Sequence, residues 1–476
     1  MVMTLEAPRP ATIAGISSTS AELVERTLAR IAEVNPQIAA VCTVADDAST
    51  QARARDAEAP RGPLHGVPVL VKDNIDTADL PTTAGSLALA ELPNPARDAA
   101  LVTRLRDAGM VIVGKSNLSE WANIRDENSI SGWSGYGGLT RNPYALNRSA
   151  GGSSSGSGAA VGAGITDFAI GTETDGSITC PAAFNGCVGL KPTVGLVPTT
   201  GVIPVSVSQD SPGPMTTTVA QSAVLLSVLT ADDYAIPEPD DKPLCGRRIG
   251  VPRKTYWGYS AHADAPAERA LELLSRAGAT IIDHADLAPE YSWPDEEIVL
   301  LAELRVHLTD YLATRGGQGP RDLADVVEFN RVNADRELRY FGQSLFEKAL
   351  EGPDIESPQY EQALARCRRA GREDGIDAVL REHDLDALVS PAYPPAFLID
   401  HVNHEHVSGS CTAPSAQAGY PLLTVASELA VGLPVAVTFW GTAHSEQTLL
   451  EIGHAYEAAR DASTGRLPGP TFVPYV

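Results

Sequence analysis

The sequence predicts an α/β fold built as one large domain spanning residues 1–476. Three observations carry this. Buried strand patterns alternate with amphipathic helix patterns along the chain, which is the α/β signature. The Gly/Ser-rich stretch 129–164 passes straight into the apolar pattern of Ala159 to Ile170, so it reads as a structured loop and not a linker. No internal repeat or linker divides the 476 residues. A chain of this length buries roughly three quarters of its unfolded surface and needs no disulfide or metal staples.

The first element is a helix. Thr19 and Glu22 form a capping-box pair, and Leu23, Thr27, Leu28, Ile31 and Val34 form an apolar stripe. Asn35-Pro36 is expected to end it. Val67 to Val71 reads as a buried strand leading to Lys72. A helix at Asp98 to Ala108 precedes the strand Met110 to Val113, and Phe168 to Ile170 is another strand. Residues from about 230 to 385 are richer in charge and helix formers and read as a peripheral, mostly helical region. The core is expected at about 60–230 and 385–476. In that second part, Ala387 to Val389 is a short strand. Tyr420 to Trp440, broken by Glu428 and Gly432-Leu-Pro, reads as two buried strands rather than a membrane span. Ser445 to Arg460 is the closing helix.

Charge narrows the function. With 36 basic and 60 acidic side chains the net charge is -24, a field that repels nucleic-acid phosphates and anionic lipid. Neither a nucleic acid nor a membrane is an expected partner. The cysteines at 42, 180, 187, 245, 367 and 411 contain no CxxC pair, so they read as free, buried thiols of a reducing compartment. The opening MVMTLEAPRPATIAG has no basic start and no apolar h-region. A cytoplasmic location is expected, with export left open should a signal have been removed. Monomer and homodimer both stay open. No cofactor and no metal is expected.

Several patterns imitate chemistry. Gly109 to Ser116 satisfies GxxxxGK[ST], but its middle residues Met, Val, Ile and Val favour a strand where a P-loop needs a curled backbone. Gly152-Ser-Ser154-Ser-Gly156 satisfies GxSxG, yet no apolar strand precedes it as a nucleophile elbow requires. His401, His404 and His406 lack the HExxH spacing of a zinc site and read as a surface loop or a lid. Asn117 and Asn147 match the glycosylation acceptor pattern, which has no use without export.

Lys72 is a stronger candidate. An amine at the end of a buried strand is desolvated, and desolvation lowers its pKa toward the range of a general base. A snorkelling lysine at a strand end is the competing reading. Two Ser/Gly-rich turns follow, Gly151 to Gly156 and Gly171 to Ile178. The amides of Thr174 to Ser177 can converge as an oxyanion hole. Serine needs a base to become a nucleophile, and no Ser-x-x-Lys occurs in the chain.

With these motifs in view the chain resembles the amidase signature family over most of its length. The matching stretches are HGVPVLVKDNIDT (65–77), GKSNLSEWA (114–122), TRNPYALNRSAGGSSSGSGAAVGAG (140–164), AIGTETDGSITCPAAFNGCVGLKPT (169–193), SQDSPGPM (208–215) and GLPVAVTFWG (432–441). Within the family, ETDGSITCPAA most resembles bacterial peptide amidases, which remove the C-terminal amide of peptides. The resemblance implies a central mixed β-sheet flanked by helices on both faces. It implies Ser177 as nucleophile, Ser153 as a bridging serine after a cis Gly152–Ser153 peptide bond, and Lys72 as base. The backbone amides of Thr174, Asp175, Gly176 and Ser177 would hold the oxyanion, and the substrate would be a peptide amide or small carboxamide. A component of an amidotransferase assembly and a broad small-molecule amidase or esterase are the alternatives. Ser154 and Ser155 are candidate donors behind the relay, or simply turn caps. The family pattern GTDTGGSIR reads here with Asp175 for a glycine and Thr179 for the arginine. An inward carboxylate at 175 would repel an oxyanion, so Asp175 is expected to turn away or bind a substrate N–H. Lys115 and Lys191 are expected to be structural. Trp133 and Tyr136 either line the entrance or hold their loop to the body.

Overall fold

The computed structural model describes residues 18–236, 242–288 and 291–476. The N-terminal stretch read for an export signal lies outside these residues. Thirteen strands are described: β1 (Val41–Val44), β2 (Pro68–Lys72), β3 (Val111–Ser116), β4 (Trp133–Ser134), β5 (Gly138–Leu139), β6 (Phe168–Glu173), β7 (Val188–Lys191), β8 (Ser211–Thr216), β9 (Arg248–Val251), β10 (Thr280–Asp283), β11 (Ala387–Pro391), β12 (Leu422–Ala430) and β13 (Leu433–Trp440). β4 and β5 pair as a small ribbon. The other eleven form one sheet in the order β1-β3-β2-β6-β8-β7-β12-β13-β11-β9-β10, flanked by helices.

The sheet is mixed. β2 runs parallel to both β3 and β6, and β6 runs antiparallel to β8. The carboxyl ends of β2 and β6 therefore lie beside the start of β8. Lys72, the 174–177 turn and Asp210 meet at that one edge, and the carboxyl end of parallel strands is where α/β sheets place their ligands. β12 and β13 are joined by Val431 and Gly432 at φ 48° and 80°, the pair of positive angles a two-residue hairpin needs. The candidate membrane span is thus a hairpin buried along most of its length, with its turn at Val431 exposed. No helix among the described residues is long and apolar enough to cross a membrane.

Two elements depart from expectation. The first helix has its Thr19–Glu22 capping box, but it continues through Pro36 to Ile38. Proline within the last turn forfeits only one hydrogen bond. The helix ends instead where Ala39 turns left-handed and donates its N–H to the Asn35 carbonyl oxygen. The peripheral region carries the expected helices, among them Trp293–Ala313, Leu323–Val332 and Ser344–Glu351, yet it also contributes β9 and β10 to the sheet edge. Those three helices bury a separate apolar cluster with Trp121, Ile203 and Val205, next to the loop that leads into Asp210.

Candidate active site

Every residue of β2 is buried, Lys72 included. Lys72 Nζ lies 2.8 Å from Ser153 Oγ, 2.9 Å from Ser154 Oγ, 2.8 Å from Thr172 Oγ1 and 3.1 Å from the Thr172 carbonyl oxygen. Asn74 Nδ2 donates to the same Thr172 hydroxyl at 3.0 Å. Burial pulls the amine down to about 7, while the carboxylates of Asp210 and Glu173 act in the opposite sense. An amine poised there exchanges its proton readily at neutral pH.

The two neighbouring serines differ in what they can do. Ser154 Oγ donates its one proton to the Thr172 carbonyl oxygen at 3.0 Å and accepts from the Thr172 amide at 3.1 Å and from Lys72. Its proton is committed. Ser153 Oγ is bonded to Lys72 alone among the described residues. The Gly152–Ser153 peptide bond is cis. The Ser153 carbonyl oxygen accepts from the Ser119 amide at 3.0 Å and from the Ser155 hydroxyl at 3.3 Å. Ser155 is therefore a turn cap.

The second turn is shaped by its own ends. β6 runs on to Glu173, further than its apolar start suggested. Glu173 Oε2 accepts from the Ile178 amide at 2.7 Å, the Thr179 amide at 2.8 Å and the Thr179 hydroxyl at 2.9 Å. This caps the helix Thr179–Asn185 and gives Thr179 a structural partner. Between these points Gly176 sits at φ 78°, and a Cβ there would lie 2.3 Å from Tyr393 Oη. Only glycine fits that position. The N–H groups of Asp175, Gly176 and Ser177 have no acceptor among the described residues. Ser177 keeps 8% of its surface open, and its carbonyl oxygen accepts from the Ser154 amide at 3.0 Å. That bond stitches the two serine turns together.

Asp175 is half-buried and near the Thr412 hydroxyl, with Oδ1 buried and unpartnered. Burial, reinforced by Glu296 and then Glu173, pushes its carboxyl up to about 8 against the Thr412 hydrogen bond. A carboxyl raised in this way carries less negative charge beside the turn.

Sequence reasoning did not pick out Thr172 and Asn74 around the amine, or Gln209 and Asp210 behind the turn. All four lie inside the matching motifs, so the signal was present without a role attached. Tyr393, Thr412 and Glu296 lie more than a hundred residues away in the chain and carried no local signal.

The imitating patterns resolve differently. Val111–Ser116 is the buried strand β3, not a phosphate loop. Lys115 is spent on the Ile75 carbonyl oxygen at 2.6 Å, the Thr82 hydroxyl at 2.9 Å and an ion pair with Asp73 at 3.6 Å. Lys191 Nζ donates to the Tyr420 carbonyl oxygen at 2.6 Å. The GxSxG serine is Ser154, fully buried, with loop and no strand before it. His401 stacks on Tyr340 with ring centroids 4.3 Å apart. Among the described residues no group of three His, Cys, Asp or Glu is placed to hold a metal. Asn117 is buried and donates to Thr140 Oγ1 at 3.0 Å. Trp133 packs against Phe341 and under Arg125, and Tyr136 bonds Thr43, so both hold their loop to the body. The cysteines are all free, but burial holds for only four of them: Cys245 is exposed and Cys42 half-buried.

Comparison with known proteins places this arrangement. The family model for amidases matches residues 22–450. The solved peptide amidase of Stenotrophomonas maltophilia superposes with a TM-score of 0.87 at 42% identity, over 96% of each chain. A probable amidase of Arabidopsis thaliana is 37% identical over 93% of this chain and 87% of its own length. A glutamyl-tRNA(Gln) amidotransferase subunit of Chloroflexus aggregans is 35% identical over 98% of both chains. The chain belongs to the amidase signature family, enzymes that hydrolyse amide C–N bonds.

Proposed function

We propose that this protein hydrolyses the C-terminal carboxamide of peptides to the free acid and ammonia, through an acyl-enzyme on Ser177. The observation that carries the reading is the 2.8 Å contact of Lys72 Nζ with Ser153 Oγ, in a buried cradle whose other serine is tied to the Ser177 backbone. Ser177 Oγ loses its proton to Ser153 Oγ as it attacks the carbonyl carbon, and Ser153 passes its own proton to neutral Lys72. The oxyanion takes the unengaged N–H groups of Asp175, Gly176 and Ser177, with Thr174 opening the turn. Collapse breaks the C–N bond, and the proton returns along the relay to the departing ammonia. Water then attacks the ester carbonyl, gives its proton to the same relay, and releases the carboxylic acid and Ser177.

The likeness to a peptide amidase at 42% identity supports the peptide substrate. The unpartnered Oδ1 of Asp175 supports a contact with a substrate N–H. A second reading, a component working inside an amidotransferase assembly, is favoured by the full-length likeness to a protein of that kind. A C-terminally amidated peptide incubated with the wild type and with Ser177→Ala, read by mass spectrometry, tests the first reading. Conversion to the free acid by the wild type alone is expected. No cleavage of any amide by the isolated chain favours the second reading.

A further inference from the structure

The motif Ser208 to Met215 brings two polar side chains to the site for which the reaction above has no role. Gln209 Nε2 donates to Glu296 Oε1 at 2.8 Å and, more weakly, to the Thr174 carbonyl oxygen at 3.4 Å. Asp210 Oδ1 accepts from the Thr174 hydroxyl at 2.6 Å. Its Oδ2 accepts from the amides of Val205 at 2.9 Å and Ser206 at 3.0 Å. Thr174 is thus held by both its carbonyl and its hydroxyl. A trans peptide unit points its C=O and N–H to opposite sides. Turning the Thr174 carbonyl onto Gln209 therefore turns the Asp175 N–H the other way, toward the open face of the turn.

The same Asp210 carboxylate lies just before β8, at the edge of the sheet where β2 ends in Lys72. Two acidic groups act on the amine, Asp210 and Glu173, and Glu303 is the acidic group that acts on Asp210. Glu173 Oε2 is taken up by the helix it caps and its Oε1 is buried without a partner. Asp210 has the stronger effect on the amine and is anchored to the turn itself, with burial raising its own carboxyl to about 6. Lys72 has to accept a proton from Ser153 and hold it until ammonia leaves. A desolvated amine with no countercharge is a poor acceptor.

We propose that Asp210 is a positioning residue serving both halves of the reaction: it fixes the Thr174 end of the oxyanion turn and supplies the negative charge against which Lys72 carries its transient proton. This rests on the Ser177–Ser153–Lys72 reading.

Asp210→Asn preserves shape and hydrogen bonding, since the amide oxygen can accept from Val205 and Ser206 while Nδ2 donates to the Thr174 hydroxyl. The experiment is a rate–pH profile on an amidated peptide for the wild type, Asp210→Asn, Thr174→Val and Ser177→Ala. For Asp210→Asn, kcat should fall about tenfold with KM nearly constant, and the acid limb should move down by about one pH unit, because an amine without its countercharge deprotonates more easily. A purely structural role lowers the unfolding midpoint and leaves the limb where it was. An unmoved acid limb overturns the proposal. Asp210→Ser replaces the asparagine variant if that fails to fold, with the same shift expected. Thr174→Val should lower kcat without moving the limb, and an unchanged kcat overturns the turn-holding half. Turnover by Ser177→Ala would overturn the underlying reading instead, so the two failures are distinguishable.

Discussion

Lys72 Nζ and Ser154 Oγ lie 2.9 Å apart in a cradle where the serine has already given its only proton to the Thr172 carbonyl oxygen. Ser154 can therefore only accept from the amine. Of the two serines touching Lys72, only Ser153 has a proton free to pass on. This relation separates the relay reading from the GxSxG reading and leads to the first prediction.

Ser154→Ala should weaken the enzyme without abolishing it, while Ser177→Ala should be inactive. Removing the Ser154 hydroxyl leaves the buried Thr172 amide without its acceptor, a loss of about 1–3 kcal/mol in stability. Steady-state kinetics and thermal unfolding of the two variants check this. An inactive, stably folded Ser154→Ala beside an active Ser177→Ala would reverse the assignment.

Lys72→Met keeps an apolar stem of matching shape and removes the amine. On the proposed mechanism kcat should fall roughly 100- to 10,000-fold, the range ascribed to general base catalysis. Circular dichroism of the same preparation shows whether the fold survives the change.

Activity should rise with pH. Folding lowers the Lys72 pKa from its ordinary value to about 7, so the neutral, proton-accepting form gains population as pH passes upward through that value. Below it the rate should fall by about tenfold per pH unit. A pH profile of kcat/KM for the free enzyme reads this limb directly, and a limb lying above pH 9 would contradict it.

Gly176→Ala introduces a Cβ 2.3 Å from Tyr393 Oη at a residue held at φ 78°. The left-handed angle alone costs roughly 1–2 kcal/mol for an L-residue. The substitution should lower kcat by about 100-fold, the size of losing one oxyanion donor. Gly176→Ala combined with Tyr393→Phe should recover only part of this, because it relieves the contact and leaves the backbone strain.

Trp133→Ala should act on stability and not on substrate binding. The ring is 5% exposed and packs on Phe341, Tyr340 and Arg125. A loss of about 3–5 kcal/mol is expected for emptying such a site, with KM of the surviving fold little changed. Denaturant unfolding and KM measured on one preparation separate the two outcomes.

How much is legible can be followed through single residues. The apolar run before Lys72 announces both a buried strand and an amine without water, because local hydrophobicity reports burial directly. Thr19 and Glu22 announce their helix for the same local reason. The end of that helix does not fall at Pro36, since a proline signals a stop without saying whether a last turn can absorb the lost bond. Asp175 looks hazardous beside an oxyanion. Its raised carboxyl pKa comes from burial reinforced by Glu296, against the Thr412 hydrogen bond, and no local pattern could bring these to it. Gln209 and Asp210 are visible in a motif, but what they hold, Thr174, lies 35 and 36 positions earlier.

Sequence alone determined the buried runs that form strands, the glycine-bearing turns and the residue types able to do amide chemistry. These follow from periodicity, from backbone conformations that glycine permits, and from motifs contiguous in the chain. Tertiary structure alone decided which hydroxyl keeps a transferable proton, which carboxylate holds Thr174, and which residues surround Lys72. Those outcomes depend on hydrogen bonds and charges between β2, β6 and the approach to β8. They exist only once parallel and antiparallel strands bring their ends to the same edge of the sheet.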